Sequence, residues 1–263
     1  LDKSSQSFAY SISWVAHYPK NEEGKMKTSV EARKKESYKI FDQIAPTYDS
    51  LNHILSMGID IRWRKKLAKE LPNKKNLIVL DLATGTGDVA LHLAKEPRIK
   101  KITGLDLSKK MIEIGKEKVL KQNYENKISL QIGDGMDLPV EDSSVDVVTL
   151  SFGIRNFSNP FKGLQEIYRV LKPGGRVLIM EFSIPKNKLV RESYFFYFRK
   201  LLPWIGNKVS GHKDAYTYLN QTVESFPYGK EFLSLMNQAK IGNLKAIPLT
   251  FGIATLYRGD KPL

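Results

Sequence analysis

The sequence predicts an α/β fold with a doubly wound, largely parallel sheet. Five apolar runs between Leu77 and Phe182 alternate with amphipathic helical stretches, the pattern that builds βαβ units. Each run ends in a glycine or polar cluster, and right-handed crossovers bring all those ends to one edge of the sheet. The first run, Leu77 to Leu82, leads into Ala83-Thr84-Gly85-Thr86-Gly87-Asp88 and a helical pattern from Val89 to Lys95. Strand, tight turn and helix in that order place a ligand site at the strand's carboxyl end.

Upstream of that strand, Ser29 to Lys39 is charged and helix-compatible and leads into Tyr38 to Asp49, where Pro46 is expected to break the helix. Ser50 to Arg64 mixes aromatic, amide and charged residues, more than a helix covering a core requires. It reads as a lid or substrate wall within 29–70, with plain aromatic packing on the sheet as the bland alternative. The next elements are a strand at Lys101–Leu105, a helix capped by Ser108 and running to about Gln122, and strands at Ile128–Ile132 and Val145–Leu150. A helix from about Pro160 to Leu171 stops at Lys172-Pro173-Gly174-Gly175, before a fifth strand, Arg176–Phe182.

Beyond it the alternation breaks. Between Pro185 and Lys213 seven basic residues (186, 188, 191, 199, 200, 208 and 213) face one acid, Glu192. Five consecutive aromatics, Tyr194 to Phe198, lie within this segment, followed by Leu201, Leu202 and Trp204. A basic helix with an aromatic face suits an interfacial or lipid-accepting cap over 185–227; a core-packing helix with solvated lysines is the alternative. Leu244–Leu249 and Ile253–Arg258, split by Thr250-Phe251-Gly252, read as a β-hairpin.

At 263 residues and 41% hydrophobic, the chain suits one α/β domain with an added cap. No apolar run approaches the ~18–20 residues of a membrane span. The absence of cysteine excludes disulfides, thiolate chemistry and cysteine-held metals. His17, His53, His92 and His212 lie far apart, so no metal site is expected. A net charge of +14 and a pI of about 9.6 favour a polyanion, either nucleic acid or an anionic membrane, with merely solvated lysines as the bland reading. Residues 1–28 read as a flexible extension in which Phe8, Tyr10, Trp14 and Tyr18 alternate with polar residues. That extension lacks the apolar core of a signal peptide, and Met26 is a candidate start. Residues 29–263 form the single folded domain.

The turn after the first strand carries the chemistry. Gly85 to Ala90 fits G-x-G-x-x-A, a weak signal alone. An acid at Asp81 followed by small residues at 83, 85 and 87 resembles the D-x-G-x-G-x-G signature of class I S-adenosylmethionine (SAM) methyltransferases, with Ala83 in place of the first glycine. A strand-end acid suits a cationic, amino-acid-bearing ligand, and Asp106, ending the second strand, can take both ribose hydroxyls. That resemblance implies a Rossmann-like seven-stranded sheet whose last strands form an antiparallel hairpin, with a helical substrate cap.

Longer motifs narrow the resemblance. F-D-Q-I-A-P-T-Y-D-S-L-N-H-I-L-S-M-G-I-D-I-R-W (Phe41 to Trp63) and R-V-L-K-P-G-G-R-V-L-I-M-E-F-S (Arg169 to Ser183) resemble the two signatures of the UbiE/MenG family of quinone C-methyltransferases. S-F-G-I-R-N (Ser151 to Asn156) and the stretch from Tyr216-x-Tyr218-Leu219 to Ser225-Phe226-Pro227 also match, so the resemblance covers about Tyr38 to Tyr257. The chain departs at Ala239-Lys240-Ile241-Gly242, where relatives usually carry A-G-F. The resemblance implies methyl transfer from S-adenosyl-L-methionine to a ring carbon of a polyprenylated quinol: demethylmenaquinol, a benzoquinol of the ubiquinone pathway, or both. It places Thr86 and the adjacent backbone at the methionine part, Asp106 at the ribose, Asp134 and Gly135 beside the adenine and Ser151 next to the cofactor, and counts Asp81, Ala83, Gly85, Gly87 and Leu107 among the cofactor-binding residues.

For the acceptor, Arg155 is expected to stabilise a quinolate and Asn156 to orient it, with Tyr48 and His53 as proton acceptors. A quinol confined to the bilayer implies a cytoplasmic enzyme that transiently visits the anionic inner membrane face. Nucleic acid is not expected, because the place after the fourth strand reads S-F-G-I-R-N and not N/D-P-P-Y/F/W. Another lipid or small-molecule acceptor is the nearer alternative. A homodimer stands among the partners to be tested.

Overall fold

The computed structural model describes residues 36–263 except 57, 198 and 200–212, with the side chains of 51, 54, 55 and 213–217 also left aside. The N-terminal extension and the residues from Leu201 to Trp204 lie outside the described residues. Helices α1 (Ser37–Leu55) and α2 (Ile59–Lys69) precede β1 (Leu77–Leu82), α3 (Asp88–Ala94), β2 (Ile99–Asp106), α4 (Lys109–Lys121) and β3 (Ile128–Ile132). Then come β4 (Val145–Ser151), α5 (Pro160–Val170), β5 (Leu171–Phe182), α6 (Lys188–Phe196), α7 (Lys213–Ser225), α8 (Lys230–Gln238), β6 (Gly242–Leu249) and β7 (Ala254–Asp260).

The strands form one seven-stranded sheet in the order β3-β2-β1-β4-β5-β7-β6. The pairs β1–β2, β1–β4, β2–β3 and β4–β5 are parallel, and β7 runs antiparallel to both β5 and β6. Because side chains alternate along a strand, β1 sends Leu77 and Val79 to one face and Leu80 and Leu82 to the other. The first face is covered by α2, α3 and α4 through Leu67, Leu91 and Ile112; the second by α5 and α8 through Leu164, Ile167 and Phe232. Both faces are thus apolar, which is why the central strands read as continuous hydrophobic runs. The order reverses between β1 and β4, and such a switch point opens a crevice at the strands' carboxyl ends.

Two boundaries differ from the sequence reading. Pro46 does not break the helix: α1 runs through it. A stripe of Ile40, Phe41, Ile44, Tyr48 and Asn52 faces a cavity at helical spacing, while Pro46 itself is exposed and Thr47 donates its hydroxyl to the Ile44 carbonyl at 3.2 Å. Tertiary packing of that stripe outweighs one missing N–H. Likewise, Lys172-Pro173-Gly174-Gly175 is not a turn between elements but an insertion within β5. Leu171 pairs with Val145 and Arg176 with Val147, and the extra residues bulge between them. The Gly174 N–H is bonded to the Lys261 carbonyl at 2.9 Å.

Candidate active site

The switch-point crevice holds a cavity of about 470 Å³, a size suited to a small organic ligand. Its base is the turn between β1 and α3. Gly85 and Gly87 adopt φ of 56° and 79°, the left-handed region where glycine is unstrained, so the turn reaches a helix N-terminus with Gly85 as bare backbone on the cavity wall. Ala83 adopts φ 48° in the same turn. A Cβ built on Gly153 would stand 2.4 Å from the Ala83 Cβ, so that glycine makes room for the alanine.

Asp81 is 1% exposed and accepts the Thr84 hydroxyl at 2.6 Å and the Thr149 hydroxyl at 2.5 Å. Burial pushes its carboxyl up to about 6, with the two hydroxyl donors opposing. Asp106 ties the turn to β2 by accepting the Gly85 N–H at 2.8 Å and the Ser108 N–H at 2.9 Å, and burial raises its carboxyl too. Ser151 lines the cavity, and its hydroxyl is buried with no hydrogen-bond partner among the described residues.

Helix α1 is pinned across this edge by two carboxylates. Asp42 accepts the Ser108 hydroxyl at 2.5 Å and the Lys110 N–H at 3.2 Å. Asp49 accepts the Thr86 hydroxyl at 2.5 Å and Lys118 Nζ at 2.7 Å. Lys118 also pairs with Asp88, which Arg64 reaches at 3.3 Å while holding Asp60 at 2.5 Å.

The other half of the cavity is aromatic. Phe152 and Phe182 stack with centroids 4.5 Å apart, Trp63 lies 5.7 Å from Phe152, and its Nε1 donates to the Thr250 hydroxyl at 2.8 Å. Tyr48 from α1, Tyr194 and Tyr197 at α6, and Tyr218 from α7 complete the wall. Into this chamber a short 3-10 turn, Ile154–Asn156, delivers Arg155, 5% exposed, with its guanidinium 5.5 Å from the Phe182 ring centroid. Arg155 Nη1 donates to the Phe152 carbonyl and, at 2.9 Å, to Glu181. Burial raises the Tyr48 phenol above its ordinary value, with an Asn52 hydrogen bond and the Arg155 charge opposing.

The cavity therefore gathers Asp81, Ala83, Gly85, Thr86, Ser151, Tyr48 and Arg155 from the sequence-predicted set. Asn156, adjacent on the same turn, and Gly87 are not on its wall, nor are Asp106, Leu107, Asp134 and Gly135, which lie further along the strand-end edge. Asp134 accepts the Met136 N–H at 2.9 Å, and a Cβ on Gly135 would meet the Phe157 ring at 2.4 Å. His53 is exposed, with Nδ1 3.4 Å from Asp60, and stands apart from the cavity. Sequence reasoning passed over Glu181 and Asp49. Glu181 had one usable signal, a lone acid inside an apolar strand run.

A cationic sulfonium cofactor fits this wall. Four aspartates (49, 60, 81 and 88) line it against two arginines (64 and 155), and Ser151 offers an unpartnered hydroxyl beside the bare turn. The sheet order with its antiparallel final pair, and the acid–glycine turn at the switch point, define a class I SAM-dependent methyltransferase. A SAM-dependent methyltransferase from Thermotoga maritima, known by crystallography, shares the fold with a TM-score of 0.59 at 20% identity, over 85% of this chain and 99% of that one. The chain belongs to the ubiE/COQ5 methyltransferase family, whose sequence model matches residues 27–261. It is 47% identical to the ubiquinone/menaquinone biosynthesis C-methyltransferase UbiE of Geotalea daltonii over 84% of this chain and 94% of that protein. It is 38% identical to the demethylmenaquinone methyltransferase of Bacteroides fragilis, over 92% and 96% respectively.

Proposed function

We propose that this protein transfers a methyl group from SAM to a ring carbon of a polyprenylated quinol, converting demethylmenaquinol to menaquinol, with the demethylated benzoquinol of the ubiquinone pathway as a second acceptor. One observation carries the reading: a single cavity joins an acid-lined glycine turn to an aromatic chamber holding one arginine. The names of the relatives agree with it.

The bound cofactor supplies an electrophilic methyl group and a good leaving group. Asp81 and the turn would hold its cationic end, with Thr86 and Ser151 beside it; Asp106 with Leu107 would receive the ribose, and Asp134 and Gly135 the adenine. The acceptor is the harder partner, because its ring carbon becomes strongly nucleophilic only when the neighbouring hydroxyl ionises. Bringing a phenol from a pKa of ~10 to roughly 7 requires about 4 kcal/mol. A charge-assisted hydrogen bond provides ~1.5–3 kcal/mol, so two donors from Arg155 suffice. His53 lies outside the cavity and Tyr48 is held neutral, so Tyr48 orients the hydroxyl and water takes its proton; once the methyl has bonded, the ring carbon loses its own hydrogen to water as a proton and the ring oxygen is reprotonated, which restores the quinol.

The tail explains the rest of the surface. At ~0.8 kcal/mol per buried CH₂ the quinol stays in the bilayer, and no helix among the described residues is long and apolar enough to cross a membrane. Exposed Leu189 and Phe196 on α6, beside Lys186 and Lys188, suit transient contact with an anionic membrane face.

The test is methyl transfer from labelled SAM to short-chain demethylmenaquinol and to the demethylated benzoquinol in detergent. Labelled menaquinol is the expected product. Transfer to the benzoquinol alone moves the enzyme to the ubiquinone pathway, and transfer to neither, with SAM still bound, refutes the quinol as substrate.

A further inference from the structure

Strand β5 carries one acid in an otherwise apolar stretch, and the chemistry proposed above does not use it. Glu181 is 0% exposed and sits behind the cavity wall, not on it. Its Oε1 accepts Arg155 Nη1 at 2.9 Å and the Phe182 N–H at 2.8 Å. Arg155 Nη1 also donates to the Phe152 carbonyl. Glu181 Oε2 and Arg155 Nε have no hydrogen-bond partner among the described residues, although folded interiors leave few buried polar atoms unpaired. An end-on contact through one nitrogen, where a side-on fork would engage two, leaves Nη2 for the cavity that Arg155 lines, with Nε buried behind it.

The distribution of charge gives this pair a purpose. Arg64, the other cation on the wall, is already held by Asp60 and Asp88. Arg155 is therefore the cation of the aromatic end, among the described residues. A lone guanidinium in a desolvated chamber attracts any anion that fits. With Glu181 in contact behind it, the pair carries no net charge.

We infer that Glu181 sets acceptor specificity: by neutralising Arg155 from behind the wall, it lets the chamber take an uncharged hydroxylated ring and refuse a ring that arrives already anionic, such as an aromatic carboxylate. The inference rests on reading the chamber as the acceptor site. Arg155 still serves the reaction, since charge that develops on a bound hydroxyl meets donors already in place. A preformed carboxylate must instead be stripped of water and gains only the field of a neutral pair.

The experiment titrates the full chain, with S-adenosylhomocysteine filling the cofactor end, with 2-naphthol and with 2-naphthoate near neutral pH. Wild type, Glu181→Gln and the double variant Glu181→Gln/Arg155→Gln are compared. Wild type should bind naphthol at least ~10-fold more tightly than naphthoate, and Glu181→Gln, which keeps an oxygen for Arg155 Nη1, should tighten naphthoate by ~10-fold or more. Naphthol and S-adenosylhomocysteine binding should stay within about twofold, and the double variant, carrying no charge there, should lose the naphthoate gain. Unchanged naphthoate affinity in Glu181→Gln, or joint loss of both rings, overturns the inference and leaves Glu181 a strut. If Glu181→Gln does not fold, wild type decides: naphthoate bound as tightly as naphthol overturns it. A wild type that binds neither ring defeats the acceptor reading along with this inference, whereas naphthol binding with no naphthoate response defeats this inference alone.

Discussion

Between Leu77 and Asp88 one continuous stretch supplies the glycine turn proposed to hold the cofactor, whereas the proposed acceptor chamber is assembled from Tyr48, Trp63, Phe152, Phe182, Tyr194 and Tyr218, which come from widely separated elements. The turn works through backbone: positive φ at Gly85 and Gly87, and the Gly85 N–H tied to Asp106. The chamber works through side chains held by long-range packing around one buried ion pair, Arg155–Glu181. The two halves meet along a single wall, acidic at one end and aromatic at the other. On the proposed reading a cationic methyl donor and an apolar acceptor each find matching surroundings there, and a substitution in one half should leave binding in the other half intact.

Arg155→Ala is the severest test of that separation. Removing a preorganised donor from the site of developing negative charge costs ~10²–10³ in rate, so methyl transfer should fall by that factor while SAM affinity holds. Leaving Glu181 buried without its partner should also cost about 3 kcal/mol of stability, so thermal melts accompany the kinetics. If SAM binding collapses while the fold persists, the halves are not independent.

Asp81→Asn is the mirror experiment. Loss of one charged contact to a cation, ~1.5–3 kcal/mol, should weaken SAM binding by ~10–100-fold with little change in acceptor KM. Since burial places the Asp81 carboxyl at about 6, wild-type SAM affinity should decline as pH drops below that value, and the Asn variant should show no such inflection. Stability of the ligand-free protein runs the other way. The folded state holds this proton more tightly than the unfolded chain, whose value is near 3.8, so Asp81 destabilises the fold fully above pH 6 and not at all well below 3.8. The difference amounts to about 3 kcal/mol, and ligand-free Asp81→Asn should therefore melt higher than wild type at pH 7.

This contrast also explains what could be read from the sequence. The parallel core, the final hairpin and the glycine turn were legible because apolar runs, helical patterns and turn motifs are local signals. Arg155 was legible because it follows a strand end within a specific motif. Tyr194 and Tyr218 were visible only as an aromatic run and a motif tyrosine, since nothing local says that α6 and α7 fold over the same cavity. Pro46 misled because propensity near one residue predicts a break, while the stripe from Ile40 to Asn52 that overrides it gains its stability only once the sheet edge is there. Glu181 showed in the sequence only as a lone acid in an apolar run, and the Arg155 contact gives it a role.

Helix α1 is the place where the separation should fail in part. It lines the chamber through Tyr48 and is fastened to the cofactor turn through Asp49, which holds the Thr86 hydroxyl and Lys118. Asp49→Ala removes partly exposed contacts worth about 1 kcal/mol. SAM affinity should drop and acceptor KM should rise, each by ~3–5-fold, and α1 amides should exchange faster with solvent. A change confined to SAM binding would show that α1 roofs the chamber without help from the turn.

Ala83→Gly asks how far the turn depends on backbone alone. An alanine at φ 48° sits where L-residues are disfavoured, a cost of ~1–2 kcal/mol. Glycine removes that strain but gains freedom in the unfolded chain, an opposing ~0.5–1 kcal/mol. The net should be a stabilisation of about 0.5 kcal/mol, or ~1–2 °C in Tm for a domain of this size, with SAM affinity unchanged within about twofold. The opposing possibility is built into the neighbour. Gly153 approaches so closely that a Cβ there would stand 2.4 Å from the Ala83 Cβ, so the methyl fills the space between the two strand ends. If Ala83→Gly melts lower, that contact outweighs the strain, and the turn relies on side-chain packing as the chamber does.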